Sequence, residues 1–262
     1  MREQTYLYML CAGRGSRMGN LTDKIPKALL PVHGVPILEH SINAFLLAFD
    51  NMKVRCVGGY QYIKLENWIN DCPSECSIVP MMNAEWNTYG PIVSASIAAS
   101  DMLGKKIVML ANGDTLFGDN FAEQIKEQLC HAKEGIYLIG SLHQFNDDDA
   151  MLLEVEGGLV KKAGKGLEPI HIAYESSGFI VAVGLNYTAL LVEKILKMSD
   201  EVKKQNRKDG PWHEVVNALS NDGVSINFVE VDYDSWWECD TQECILHAEA
   251  EMNTVTIKHD GG

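Results

Sequence analysis

Apolar and polar residues follow two different rhythms along this chain. From residue 5 to about residue 141, short apolar runs alternate with stretches whose apolar residues recur every three to four positions. The runs TYLYML at 5–10, KVRCVG at 53–58, 76–80, IVMLAN at 107–112 and GIYLIGS at 135–141 predict strands. Between them, 37–48, 62–70, 91–102 and 120–131 predict helices, with Pro36 and Pro91 near the first turn, where a missing N–H costs little. IVMLAN is almost continuously apolar, as expected of a central parallel strand covered on both faces. Regular alternation of strand and helix predicts a doubly wound α/β sheet, mixed but mostly parallel.

After residue 149 the rhythm changes. MLLEVEGGLVKK at 151–162 reads as a hairpin turning at Gly157-Gly158, and GFIVAVG at 178–184 as a strand. Helices are expected at about 186–198 and 211–220, a strand at 226–232 and a last helix from Thr241. There is no internal repeat, long linker or low-complexity tract. The expectation is a single domain, 1–262, with a small C-terminal extension.

Composition narrows the classes. At 262 residues and 46% apolar, the chain can fill one full core. No run approaches the roughly 20 apolar residues of a membrane span, and no leader pattern opens the chain, so a cytoplasmic protein without a membrane partner is expected. Seven cysteines without paired spacing fit a reducing compartment. Cys72 and Cys76 have no second Cys/His pair nearby, so no zinc site is expected. A net charge of −14 argues against nucleic acid as a partner but leaves a mononucleotide open, since that needs only a few local cations.

The first candidate chemistry lies just after the first strand. Gly13, Arg14, Gly15, Ser16, Arg17, Met18 and Gly19 form a glycine-rich loop, followed by Pro26-Lys27. Successive N–H groups in such a loop cradle phosphate, and Arg14, Arg17 and Lys27 add positive charge. The segment is neither a Walker loop, since no Gly-Lys-Ser/Thr occurs, nor a dinucleotide fingerprint, since the glycines miss its spacing by one residue. The second candidate is Asp114, at the carboxyl end of a buried strand, where open α/β sheets bind ligands. The third is Trp236-Trp237-Glu238-Cys239-Asp240-Thr241, whose two carboxylates share a face if the segment is extended. Asp240 is alternatively the N-cap of the last helix. Trp236 and Trp237 read either as core packing or as an aromatic wall for a cationic head group.

Leu10, Ala12, Gly13, Gly15, Ser16, Arg17, Met18, Leu21, Thr22, Pro26, Lys27 and Leu29 stand in the order of the signature of the sugar-nucleotide-type nucleotidyltransferases, which this segment resembles. Asn112-Gly113-Asp114 resembles that family's G-D step, and 237–241 the W-x-E-I-D-T pattern near the C-terminus, more typical of the family's cytidylyltransferase branch. Gly59-Tyr60, the Asn83…Trp86…Tyr89…Ser94 stretch, and Lys165 followed by Glu175-Ser176-Ser177-Gly178 are similar to the cytidylyltransferase branch, of phosphocholine and aminophosphonate type. Gly90-Pro91 departs from that branch, which carries an Asn pair there. His213-Glu214 stands where it has an acidic pair, so the role of Glu214 is left open.

The resemblance implies a Rossmann-like nucleotidyltransferase fold, with an NTP-binding half at 1–149 and an acceptor-binding, metal-completing half at 150–262. It implies nucleotide contacts from Cys11, Ala12, Gly13, Arg14, Gly15, Ser16, Arg17, Lys27, Gly59, Asn83 and Trp86. Lys27, Arg17 and Lys165 are implied as catalytic, and Asp114, Glu238 and Asp240 as ligands of Mg²⁺. The implied reaction joins CMP from CTP to a small phosphorylated or phosphonate metabolite, for surface polysaccharide or lipid decoration, and releases pyrophosphate. A sugar-1-phosphate nucleotidyltransferase and a non-catalytic nucleotide-sensing subunit are the alternatives. A homodimer is left open.

Overall fold

A computed structural model of the chain describes residues 3–72, 77–143, 149–168, 173–208 and 210–259. The strand β1 (Thr5–Cys11) leads through two 3₁₀ turns, Ser16–Thr22 and Lys27–Leu29, to a small hairpin, β2 (Pro31–Val32) and β3 (Val35–Pro36). Then follow α1 (Ile37–Ala48), β4 (Met52–Gly58), α2 (Tyr62–Asp71), β5 (Ile78–Met82) and α3 (Pro91–Met102). Next come β6 (Ile107–Asn112), β7 (Thr115–Phe117), α4 (Asp119–His131) and β8 (Gly135–Leu142). The rest is β9 (Leu152–Glu156), β10 (Leu159–Gly164), β11 (Tyr174–Val183), α5 (Leu185–Lys204), α6 (Glu214–Asn221), β12 (Ile226–Glu230), β13 (Trp236–Glu238) and α7 (Gln242–His259).

Nine strands form one sheet in the order β5-β4-β1-β6-β11-β8-β12-β10-β9. β5, β4, β1 and β6 pair in parallel, and β12 is parallel to β8. β11 runs against both β6 and β8, and β10 against β12 and β9. All strands but β10 and β11 therefore share one direction, which makes the sheet mixed and mostly parallel. The two halves of the chain are woven together, because β11 lies between β6 and β8. A register shift between Ser176 and Phe179 lets β11 pair with β9 at its start and with β6 at its end.

Strand alternation divides the core between the two faces. Leu7, Met9, Met109, Ala111, Phe179 and Val181 face α1 and α4. Tyr8, Val108, Leu110, Ile180 and Ala182 face α3, α5 and α6. On the first face Phe45 stacks on Phe179 at 5.1 Å between ring centroids, with Phe117 and Phe121 set edge-on to Phe179. A third cluster, including Met18, Leu30, Leu116, Trp237 and Ile245, seats α7 beside the first loop.

Element boundaries differ from the sequence expectations in several places. The strand expected at 76–80 is Ile78–Met82, and Cys76 lies outside the described residues. α5 runs on to Lys204, and β11 begins at Tyr174. The helix expected from 211 starts at Glu214, because 211–213 make a turn in which the Glu214 and Val215 N–H groups donate to the Pro211 and Trp212 carbonyls. Among the described residues no helix is long and apolar enough to cross a membrane.

Candidate active site

The glycine-rich loop is shaped around a lysine. Gly15 has φ +67°, and a Cβ there would lie 2.8 Å from Cδ and 2.9 Å from Cβ of Lys27. Only glycine gives both the left-handed turn and the room for the lysine stem to pass beneath it. The Thr22 hydroxyl donates to the Gly15 carbonyl at 3.1 Å and closes the loop. Pro26 is extended, so the chain enters the 3₁₀ turn of 27–29 with Lys27 pointing inward and only 5% exposed. A buried ammonium needs partners. It donates to Asp114 Oδ2 at 2.8 Å and to Asp240 Oδ1.

Those two carboxylates arrive on different strands. Asp114 sits in the turn between β6 and β7, and β13 pairs antiparallel with β7, Glu238 opposite Thr115. The Cys239 N–H donates to the Asp114 carbonyl at 3.1 Å, which brings the stretch 238–240 alongside Asp114. The Trp-Trp-Glu segment is thus extended. Burial would lower the Lys27 pKa, but Asp114 and Asp240 outweigh it and hold the ammonium well above the lysine range. Burial, then Asp240, Asp114 and Glu175, push the Glu238 carboxyl up to about 8.

Arg17 extends the arrangement. Its Nη2 meets Asp240 Oδ2 at 2.6 Å and its Nη1 meets Asp149 Oδ2. Asp240 and Asp149 hold the guanidinium firmly charged against the opposing effect of burial. Lys165 binds the other oxygen of Asp149. Lys165, Asp149, Arg17, Asp240, Lys27 and Asp114 therefore form one chain of alternating charge, in which all three cations expected to be catalytic meet. Oxygen donors of this kind suit a hard divalent cation such as Mg²⁺. Asp114 and Asp240 converge on one point, which the Lys27 ammonium holds, with Glu238 beside them. No three-ligand cluster is formed among the described residues.

The other expected nucleotide contacts surround the end of β1. A Cβ on Gly59 would fall 2.3 Å from Trp86 Cβ and 3.0 Å from Ala12 Cβ, so its bare backbone fills a slot between them. Trp86 stands edge-on to Tyr60 at 5.2 Å, and the Tyr60 N–H donates to the Ala12 carbonyl. Gly13 has open space around it, and Ser16 begins the 3₁₀ turn. Cys11 is buried beneath Gly113. Arg14 is half-exposed, bonds Asp23 at 3.5 Å and lies over Tyr60, outside the charge chain. Asn83 is buried: its Nδ2 donates to Ser94 Oγ at 3.0 Å and its Oδ1 accepts from the Glu85 N–H at 2.9 Å. Glu214 bonds Arg207 at 2.5 Å.

Beside the charge chain opens a cleft of about 740 Å³, lined in part by Arg17, Glu238 and Asp240. Its walls include Trp236, Trp237 and Tyr233 and the acidic residues Glu175, Asp234, Glu243 and Glu251. Both tryptophans are largely buried, so they belong to the core and also pave the cleft. Glu175 is held by His143 Nδ1 at 2.8 Å. Sequence reasoning missed Asp149 and the α7 face, which carry no local motif. Glu175 stood in a stretch already singled out, but without an expected role.

Comparison with known proteins bears on the family and the fold. The MobA-like NTP transferase domain matches residues 7–157. The UTP–glucose-1-phosphate uridylyltransferase AglF of Haloferax volcanii is 26% identical over 224 residues, covering 86% of this chain and 87% of that protein. A 2-aminoethylphosphonate cytidylyltransferase of Lancefieldella rimae is 27% identical over 235 residues, 87% of this chain and 86% of that one. The solved CTP:phosphocholine cytidylyltransferase of Streptococcus pneumoniae superposes with a TM-score of 0.73 at 16% identity, over 95% of this chain and 99% of that one, which shows a shared fold.

Proposed function

Because the chain belongs to the MobA-like NTP transferase domain family and is therefore a nucleotidyltransferase, we propose that it transfers CMP from CTP to a small phosphorylated or phosphonate acceptor with a cationic head, releasing pyrophosphate. The observation that carries this reading is Lys27, buried and pinned between Asp114 and Asp240, with Arg17 on the second oxygen of Asp240.

An acceptor oxygen attacks the α-phosphorus while the bond to the bridging oxygen of the β-phosphate breaks. The acceptor is already an anion, so no general base is required, and the task is to align two polyanions and neutralise them. Arg17 and the N–H groups of the 13–17 loop are suited to the leaving pyrophosphate. Lys27 is suited to the α-phosphate and to the charge that shifts onto the bridging oxygen. Lys165 is suited to orienting the acceptor anion. Asp114 and Asp240, with Glu238, would hold Mg²⁺, which supplies further charge neutralisation between the phosphates when bound. Gly59, Tyr60 and Trp86, beside the loop at the end of β1, are suited to contacting the base.

The acceptor class rests on the cleft. Its acidic and aromatic walls favour an ammonium head next to the anionic end held by Lys165, since aromatic faces and carboxylates both attract cations. Phosphocholine-, aminoethylphosphonate- and phosphoglutamine-like compounds meet that description. Similarity to a glucose-1-phosphate uridylyltransferase supports a sugar 1-phosphate as the second reading. Pyrophosphate release should be measured with Mg²⁺ and each of four nucleotides against phosphocholine, aminoethylphosphonate, glycerol phosphate, phosphoglutamine and sugar 1-phosphates. CTP with a cationic acceptor is the expected pair. UTP or dTTP with a sugar phosphate would replace the first reading by the second. Nucleotide binding without turnover would leave a sensor.

A further inference from the structure

Arg17 and Lys165 come from opposite halves of the chain, one in the first loop and the other at the end of the β9–β10 hairpin. They nevertheless close on the same carboxylate: Arg17 Nη1 on Asp149 Oδ2, Lys165 Nζ on Asp149 Oδ1. Two cations so placed can grip two oxygens of a single phosphoryl group, because the oxygens of a carboxylate and of a phosphate are similarly spaced. We infer that Asp149 is an internal stand-in for a phosphate, occupying an anion site formed jointly by Arg17 and Lys165, and that a substrate or product phosphoryl group displaces it.

Exposure supports exchange. The side chains of Arg17, Asp149 and Lys165 are 53%, 44% and 49% exposed, so the pairs are solvated and cheap to open. The chain as a whole carries −14, so an arriving polyanion meets net repulsion, and a carboxylate on the two receiving cations adds to it. While Asp149 stays, it keeps the two cations from repelling each other and sets them the width of one anion apart. This inference rests on the nucleotidyltransfer reading for the identity of the anion, and it extends the role given to Lys165 above: when pyrophosphate binds, Lys165 shares one of its phosphoryl groups with Arg17.

The experiment is calorimetric titration of the full chain with inorganic pyrophosphate, in wild type, Asp149→Asn, Asp149→Ser, Arg17→Ala, Lys165→Ala and the Asp149→Asn/Lys165→Ala double variant. Asp149→Asn and Asp149→Ser are expected to bind about tenfold more tightly than wild type. Lys165→Ala and Arg17→Ala are expected to bind more weakly, and the gain from Asp149→Asn is expected to shrink when Lys165 is also removed. Unchanged or weaker binding in both Asp149 variants, with melting temperatures at the wild-type value, would overturn the inference; so would a full gain in the double variant. The two readings fail separately. Acceptor-dependent turnover with no gain in the Asp149 variants sinks the stand-in alone, whereas a gain without turnover on any acceptor sinks the transferase reading alone.

Discussion

The glycine-rich loop and the carboxylate wall meet at Lys27 but are made in different ways. The loop closes within 13–27: Thr22 ties back to Gly15, Gly15 admits the lysine stem, and Pro26 sets its direction. The wall has almost no local logic. Asp114 and Asp240 face the same ammonium only because β13 pairs with β7, and that pairing rests on strands, a phenylalanine cluster and a helix drawn from the whole chain. The first region is a motif and the second is a consequence of topology. Mutations should therefore hurt them differently, the loop through chemistry and the wall through packing.

The sharpest cut is at the point they share. Lys27→Ala should lower the rate of pyrophosphate release by about 10³-fold, about 4 kcal/mol of lost transition-state stabilisation. An unchanged rate would mean that the two regions do not cooperate in catalysis. Phe179→Ala opens the aromatic cluster beneath the wall and should cost about 3 kcal/mol of stability in chemical denaturation. The loss should be the same with or without nucleotide present at trace level.

A third test uses pH. His213 is buried on the C-terminal half, stacked on Trp212 and bonded to Ser176 Oγ at 2.9 Å; burial, with Lys165 adding to it, depresses its pKa to about 3. The unfolded chain, with its histidine at an ordinary value, binds the proton that the folded chain refuses. Stability from this group is therefore complete above about pH 6.5 and falls on acidification, by roughly 2 kcal/mol at pH 5. Denaturation midpoints at pH 7 and 5 should show that slope, and His213→Asn should flatten it. The smallest effect belongs to Arg14, which pairs with Asp23 outside the charge chain. Arg14→Ala should change the KM for nucleotide by no more than about twofold, since an exposed pair contributes little. A tenfold change would extend the loop's chemistry to its outer rim.

The sequence carried the loop well, because Gly13, Gly15, Arg17, Pro26 and Lys27 act through neighbours a few positions away. It also carried the α/β order, since the apolar runs at 5–10 and 107–112 mark strands whatever they pair with. What it withheld was partnership. Nothing around Asp149 announces Arg17 and Lys165, and nothing around Asn83 tells that its amide is taken by Ser94 and Glu85. The cleft-facing side of α7 was invisible for the same reason, since a helix face acquires meaning from what it is packed against. The start of α6 at Glu214 was displaced by a turn at Pro211 that helical periodicity alone does not register.

The path of β11 has a practical consequence for taking the molecule apart. The region matched by the family ends at residue 157, in the β9–β10 turn, yet the sheet of that region lacks its filling between β6 and β8 until β11 arrives. Cutting the chain at Gly157-Gly158 would yield two polypeptides that each expose the edges the other must cover. Neither should fold alone, and the pair should reassemble only on mixing, which makes this turn a natural place to split the protein into a two-fragment complementation reporter.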